Sequence, residues 1–416
     1  MPEGVVRFSD FSGGLNTRSP TTSLKLNEAL DLQNINLLPS GGFEKRRGNT
    51  ALNTTALNSS ATLIGLGYYR QADADEFMVA IAGNQILTSP MTAAFTNRTA
   101  ALTITSGNNN HWTASVMNNN AIMVGGAPDA PITWTGAGDA TALGGTPPSG
   151  NFGLTANRRF FIGNTTANPS RMAWSILGDP TDWSGSGSGT QDVAEGDGDT
   201  LVGAAVLNID HMLCFKQNSI HDLLIRNAPF PLFPLFRNVG AIGKHAIVTV
   251  DGLAYFITPR GRMKATDGTK IYDFPDTIDT TWDALNQSRL LYIQGIYNQR
   301  LHQIWWFCSN GTSTTNNYCI VWDIRREVWL RHTSGATMNI ATKTQAGTVY
   351  GGNYAGVIYQ FDVADTYTDA SVASPSAINA YWRTGWIDFE SMLNSKTIPY
   401  ADTNVKSRTV GTYEFG

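Results

Sequence analysis

The feature that most constrains this chain is a two-strand unit that recurs at near-regular intervals. One copy reads RFFIGNTTANPSRMAWS from Arg159: an apolar run, a polar turn and a second apolar run. The others are FMVAIAGNQILTS from Phe77, AIMVGGAPDAPITW from Ala121, HMLCFKQNSIHDLLI from His211, GLAYFITPRGRMKA from Gly252, QIWWFCSNGTSTTNNYCIVWD from Gln303 and GTVYGGNYAGVIYQFD from Gly347. Successive starts lie 44, 38, 52, 41, 51 and 44 residues apart, bracketing the roughly 40 to 50 residues of one four-stranded propeller blade. β-Branched and aromatic residues fill the runs. Gly83-Asn84, Gln217-Asn218, Pro259-Arg260-Gly261 and Asp267-Gly268 stand where a hairpin must reverse.

An antiparallel array this long must hide its edges, and radial closure does so while giving every sheet a neighbour. The expected fold is therefore all-β: a β-propeller of six or seven blades, one hairpin being assignable to a flanking arm. A parallel β-helix needs shorter repeats, and two sandwiches need a linker that is not evident. The 41 Gly, 17 Pro and 15% charged residues in 416 suit a turn-rich closed architecture. Only Leu26 to Gln33 and Ile278 to Asn286 predict short helices. The expected organisation is an N-terminal arm with a short helix over 1–60, the propeller over 61–365 and a C-terminal arm over 366–416 around YWRTGWIDF. Both arms are expected to reach a neighbouring molecule.

No run of about 18 apolar residues occurs, so no membrane span is expected. The opening MPEGVVRFSDFSGGLN lacks the basic and apolar segments of a secretory signal, so folding in the cytoplasm is expected. Cys214, Cys308 and Cys319 cannot all pair within one chain and lack CxxC spacing, which predicts buried free thiols. A net charge of −4 argues against general nucleic-acid binding. The basic groups Lys45-Arg46-Arg47, Arg158-Arg159, Arg260 to Lys264 and Arg325-Arg326 are scattered and suit turns and subunit contacts.

The densest acidic run, QDVAEGDGDTLVG, carries Asp192, Glu195, Asp197 and Asp199, but Gly203 falls where a calcium loop needs its final Glu, so it reads as an acidic turn. Asp179 and Asp182 in GDPTDW read as turn residues that accept backbone N–H groups. The six histidines show no HxH or HExxH pairing, and neither a GxSxG elbow nor a phosphate loop appears. No catalytic, cofactor or metal residue is assigned, and the chain is not expected to be an enzyme. Trp174, Trp305, Trp306, Trp322 and Trp329 lie within predicted strands and are expected in the core.

Three segments point to a family. FSDFSGGLNTRSPTTSLKLNEALDLQNINLLPSGGFEKRRGNTALN combines a Gly-Gly-Leu-Asn opening, an expected short acidic helix leading to Asn34, and a Gly-Gly turn followed by Arg46, Arg47 and Gly48. Together with RRFFIGNTTANPSRMAWSILGDPTDW and GLAYFITPRGRMKATDGTKIYDF, it resembles the tail nozzle or tail hub and stabilisation proteins of short-tailed bacteriophages. The resemblance implies a virion tail protein without an active site or cofactor. It implies a six-fold ring below the portal and the adaptor or head-to-tail connector, with tail fibres as further partners. DNA would pass transiently, without sequence-specific contact, along a neutral or acidic wall. Larger members continue well past their propeller, whereas this sequence ends at Gly416. Arg46, Arg47, Trp382, Arg383 and Trp386 are the expected subunit contacts. Two alternatives stand beside this reading: a receptor- or glycan-binding propeller with an exposed aromatic patch, and a propeller glycoside hydrolase drawing its acids from Asp192 to Asp199.

Overall fold

The computed structural model describes residues 8–126, 128–333, 337–370 and 375–386. Among them, seven four-stranded antiparallel sheets form the seven blades of a β-propeller. The innermost strands, one per blade, are Leu63–Arg70, Trp112–Met117, Gly150–Ala156, Leu201–Val206, Ile247–Val250, Gln294–Asn298 and Met338–Lys343. Each packs against the next and the seventh against the first, so the ring is closed. Blades 1 to 6 are each built from four consecutive strands. Blade 7 takes its outer strand from Thr50–Ala51, near the opposite end of the chain, with Ala51 opposite Tyr359 and Thr50 opposite Gln360. The propeller thus begins ten residues before the expected boundary at 60.

All seven recurring hairpins are the second and third strands of a blade, and none belongs to an arm. Their signal is strong because these strands are covered on both faces by neighbouring blades: every residue of Gln303–Cys308 is buried. Outer strands such as Thr96–Asn97 and Thr141–Ala142 are two residues long and exposed, which blunts the sheet edge. The core is correspondingly divided into layers between blades. Tyr69 and Ile81 of blade 1 meet Trp112 and Met123 of blade 2, and Phe215 of blade 4 lies 5.1 Å from Phe256 of blade 5. The five tryptophans expected in the core are all buried there. So are the three cysteines, which are unpaired.

The inner strands converge so tightly that side chains must give way. A Cβ on Gly67 would stand 2.5 Å from the Ala114 Cβ. The open inner edges are satisfied from the neighbouring blade: Gly153 N donates to Thr113 Oγ1 at 2.8 Å and Thr155 N donates to Ser115 Oγ at 3.1 Å. The helix expected within Ile278 to Asn286 is present as Asp279–Asp283. The one expected over Leu26 to Gln33 is not. Glu28–Ala29 pairs in parallel with Gly14–Leu15, and Asp31–Gln33 pairs with Tyr381–Arg383. An eight-residue segment cannot hold a helix by itself, and the available strand partners win.

Gly67→Val is expected to destabilise the protein by about 1–3 kcal/mol in urea unfolding, through overpacking of the inner ring. A variant as stable as the parent would contradict the close approach of blades 1 and 2.

Candidate functional site: the arm layer and the channel mouth

The arms fold back on their own chain. Thr17 N donates to Thr277 O at 2.8 Å, and Asn34 N donates to Arg331 O at 2.9 Å, which lays the N-terminal segment along blades 5 and 6. The C-terminal strand Tyr381–Arg383 then pairs with Asp31–Gln33, and Arg331 of blade 6 ties both down. Its Nη2 lies 2.7 Å from Asp31 Oδ1 and donates to the Tyr381 hydroxyl at 2.6 Å. Phe11, Phe43 and Trp382 pack as an aromatic cluster over this layer, with ring centroids 4.9 to 6.0 Å apart.

Arg46 is only 6% exposed and holds the layer together. Its guanidinium makes a bidentate ion pair with Asp369 of the C-terminal arm, and Nε donates to Asn34 Oδ1 at 2.8 Å. Nη2 also donates to Thr333 O at 2.7 Å, and Asn34 Nδ2 reaches Asn379 O at 2.7 Å. The next glycine is required by contact: a Cβ on Gly48 would lie 1.9 Å from Thr368 O. The Arg46-Arg47-Gly48 and Gly-Gly-Leu-Asn signatures therefore serve docking within one chain.

The expected contact residues divide accordingly. Arg46 is buried in its ion pair, whereas Trp382, in the aromatic cluster, and Arg47 are half-buried. Arg383 and Trp386 face outward. Trp386 is 78% exposed although its backbone N is fixed to Thr21 O at 3.0 Å, and Leu26 on the N-terminal arm is 52% exposed. A large apolar side chain held out on an ordered strand end is suited to contact with another surface. The tail residues from Tyr381 to Phe389 are expected contact points, and those beyond 386 lie outside the described residues.

A second cluster, which the sequence did not single out, occupies the mouth of the propeller channel where the inner strands begin. Lys244, between blades 4 and 5, extends across the axis. Its Nζ donates to His111 O at 2.6 Å, Asn151 O at 2.5 Å and Asn151 Oδ1 at 3.0 Å, on the blade 2 and 3 side. The His111 ring lies 2.9 Å from Asn339 Oδ1 of blade 7 and 3.3 Å from Gln294 Nε2 of blade 6. Asn339 in turn donates to Leu63 O of blade 1 at 2.9 Å. Burial lowers Lys244 to about 7. Burial, with Lys244 and Arg289 adding to it, lowers His111 to about 4. The sequence signal was a Lys-His pair immediately before an inner strand, but only ring closure brings it to His111.

The acidic run is spent on structure. Asp192 pairs with Arg171 at 2.6 Å, Glu195 accepts from Asn168 at 2.9 Å, and Asp199 caps Asn218 N at 2.7 Å. Asp197 binds the fully buried Lys216 ammonium at 2.6 Å. Among the described residues no group of three or more His, Cys, Asp or Glu is arranged to hold a metal.

No protein-family model and no curated protein matches the chain. Solved propellers do. The chain is similar to YCF48 from Cyanidioschyzon merolae at 11% identity and a TM-score of 0.50, over 76% of this chain and 98% of that one. The WD40 propeller domain of Doa1 aligns at 10% identity and a TM-score of 0.49, over 77% and 98%. The likeness to YCF48 bears on the fold alone.

Two measurements test these sites. Arg46→Met should cost about 3–5 kcal/mol in urea unfolding, because it leaves a buried Asp369 charge, and Asp369→Leu added to it should restore part of the loss. No recovery in the double variant would remove the ion pair as the lock. For Lys244, the native value of about 7 lies below the ordinary 10.5. Between these the unfolded chain holds a proton that the native state lacks, so this residue adds stability as pH rises through that window, and its cost is full below it. The unfolding free energy of the parent relative to Lys244→Met should therefore rise from pH 7 to pH 10. A difference that does not change with pH would contradict a desolvated ammonium.

Proposed function

We propose that this chain is a structural subunit of a bacteriophage tail, a nozzle or hub protein that assembles with copies of itself into a ring below the portal and adaptor. The single observation that carries the reading is the arm layer: the described parts of both arms are fastened to blades 5 and 6 by buried polar contacts, yet they hold Trp386 and Leu26 out to solvent. That arrangement suits a rigid body with one prepared contact edge. The channel mouth favours the same reading. Side chains from several blades meet on the axis at Lys244 and His111, so a passage for DNA would lie between subunits, at the centre of the ring. In this role the protein resides in the virion tail, after folding in the host cytoplasm. Its partners are its own copies, the head-to-tail connector and tail fibres, with DNA passing transiently.

The exposed Trp386 also favours a second reading, a module that stacks a host glycan on an aromatic face. Light scattering with electron microscopy of the purified full chain separates the two. A ring of about six copies of the 45.0 kDa chain is expected, and Trp386→Ser should lower the mass without moving the unfolding midpoint. A monomer at all concentrations that joins no tail particle would overturn the ring. Glycan-array binding lost in Trp386→Ser would then support the second reading.

A further inference from the structure

The N-terminal arm joins the propeller through a turn that its own residues do not suit. Leu57 is buried against blade 7, where its backbone N donates to Gly356 O at 2.8 Å, and blade 1 begins at Leu63. Between them the chain makes a left-handed turn: Asn58, Ser59 and Ser60 have φ of 44°, 52° and 67° in succession. Left-handed backbone is ordinarily visited by single residues, Gly or Asn above all, because a Cβ crowds the following carbonyl. Three such residues in a row, none of them Gly, concentrate strain at one point of the chain. Asn58 Nδ2 fixes the turn to Ala82 O of blade 1 at 2.8 Å, whereas Ser59 and Ser60 are exposed.

Ahead of the turn, the segment is bound to parts of the chain that lie far along the sequence. Arg46 pairs with Asp369, Leu52 N donates to Ile358 O at 2.7 Å, and Asn53 Nδ2 donates to Gly356 O at 2.9 Å. With Thr17 on Thr277 and Thr50–Ala51 on Tyr359–Gln360, these contacts join residues at least 260 positions apart. None of them requires both partners to belong to one molecule. If two copies exchange the segment, every one of these contacts is remade and only the turn changes, from left-handed to extended. Drawn out, residues 58–62 span up to about 16–18 Å, enough to cross to an abutting copy. A short hinge under strain favours such an exchange, because the strain is released when the hinge opens.

We propose that residues 8–57 form an exchangeable arm: the segment of one copy closes blade 7 of a second copy, with Asn58–Ser60 as the hinge. The docking surface is the one that Thr277, Tyr359–Gln360 and Asp369 already provide, and the partner is this chain itself. The exchange does not depend on the tail assignment. A ring held by Trp386 contacts can form without it, and two copies can exchange arms without making a ring.

The test uses the full chain carrying Thr50→Cys and Gln360→Cys, which stand opposite each other in the seam. The native Cys214, Cys308 and Cys319 are buried. The folded protein is oxidised, alkylated and run unreduced on a denaturing gel. Disulfide-linked multimers are expected, and a bond confined to single chains would overturn the exchange whatever the mass of the native assembly. A second series needs no added cysteine and is made in Trp386→Ser, so that contacts through that side chain add no mass. Ser59→Pro fixes φ near −65° and forbids the turn, so it should raise the exchanged fraction by roughly tenfold or more, read by light scattering at fixed concentration. Asn58→Gly, Ser59→Gly and Ser60→Gly together accept the turn and should lower that fraction by a similar factor. A Ser59→Pro chain that unfolds at a lower midpoint yet stays monomeric would overturn the exchange even if the cysteine pair failed to form.

Discussion

The structure depends on a seam. A propeller made only of consecutive strands would leave its last blade one strand short, and here Thr50–Ala51 completes it from the other end of the sequence. Two residues of pairing are a weak fastening by themselves. What secures them lies just upstream, where the Arg46 guanidinium joins the N-terminal arm, the end of blade 6 and the C-terminal arm through Asn34, Thr333 and Asp369. Gly48 lets the backbone pass Thr368 at a distance that no side chain allows. A buried ion pair contributes little against a well-packed apolar substitute, but with both partners present it fixes one geometry, and removing either leaves an uncompensated charge.

How much of this was legible follows from burial. Strands covered on both faces are written as apolar runs, so the seven hairpins and the blade period could be read directly, together with turn residues such as Asp182, which accepts Ser184 N and Gly185 N. Two-residue outer strands carry no pattern, which is why Thr50–Ala51 was assigned to an arm. The Leu26 to Gln33 segment has helix-compatible spacing, but its structure is set by Gly14–Leu15 and Tyr381–Arg383, one of them 350 residues away in the Asp31 to Tyr381 pairing. Among the contact residues, Arg383 and Trp386 were legible as exposed groups. Arg46 was misleading, because a basic triplet looks solvated until its distant acid, Asp369, is placed beside it.

The channel mouth was the least legible part. Lys244, His111 and Arg289 lie on three separate connections between blades and Asn339 on the inner strand of blade 7, and no spacing rule links them. Their meeting is a consequence of circular closure, which sends the start of every inner strand toward one axis. The same geometry explains their chemistry: polar side chains directed at a common point must satisfy one another, and basic ones without acids lose their ordinary affinity for protons.

The seam also sets a timetable. Ala51 leaves the ribosome early, but its partner Tyr359 is made some three hundred residues later. At about 5–20 residues per second that interval is on the order of tens of seconds. Throughout it the first blade has no neighbour on its open side, and Thr50–Ala51 has no strand to pair with. The nascent chain is therefore an open arc with two adhesive ends, and two arcs made close together on one message can close each other's seams. Closing the ring within one chain requires Thr50–Ala51 to meet its own Tyr359–Gln360 before that of another copy.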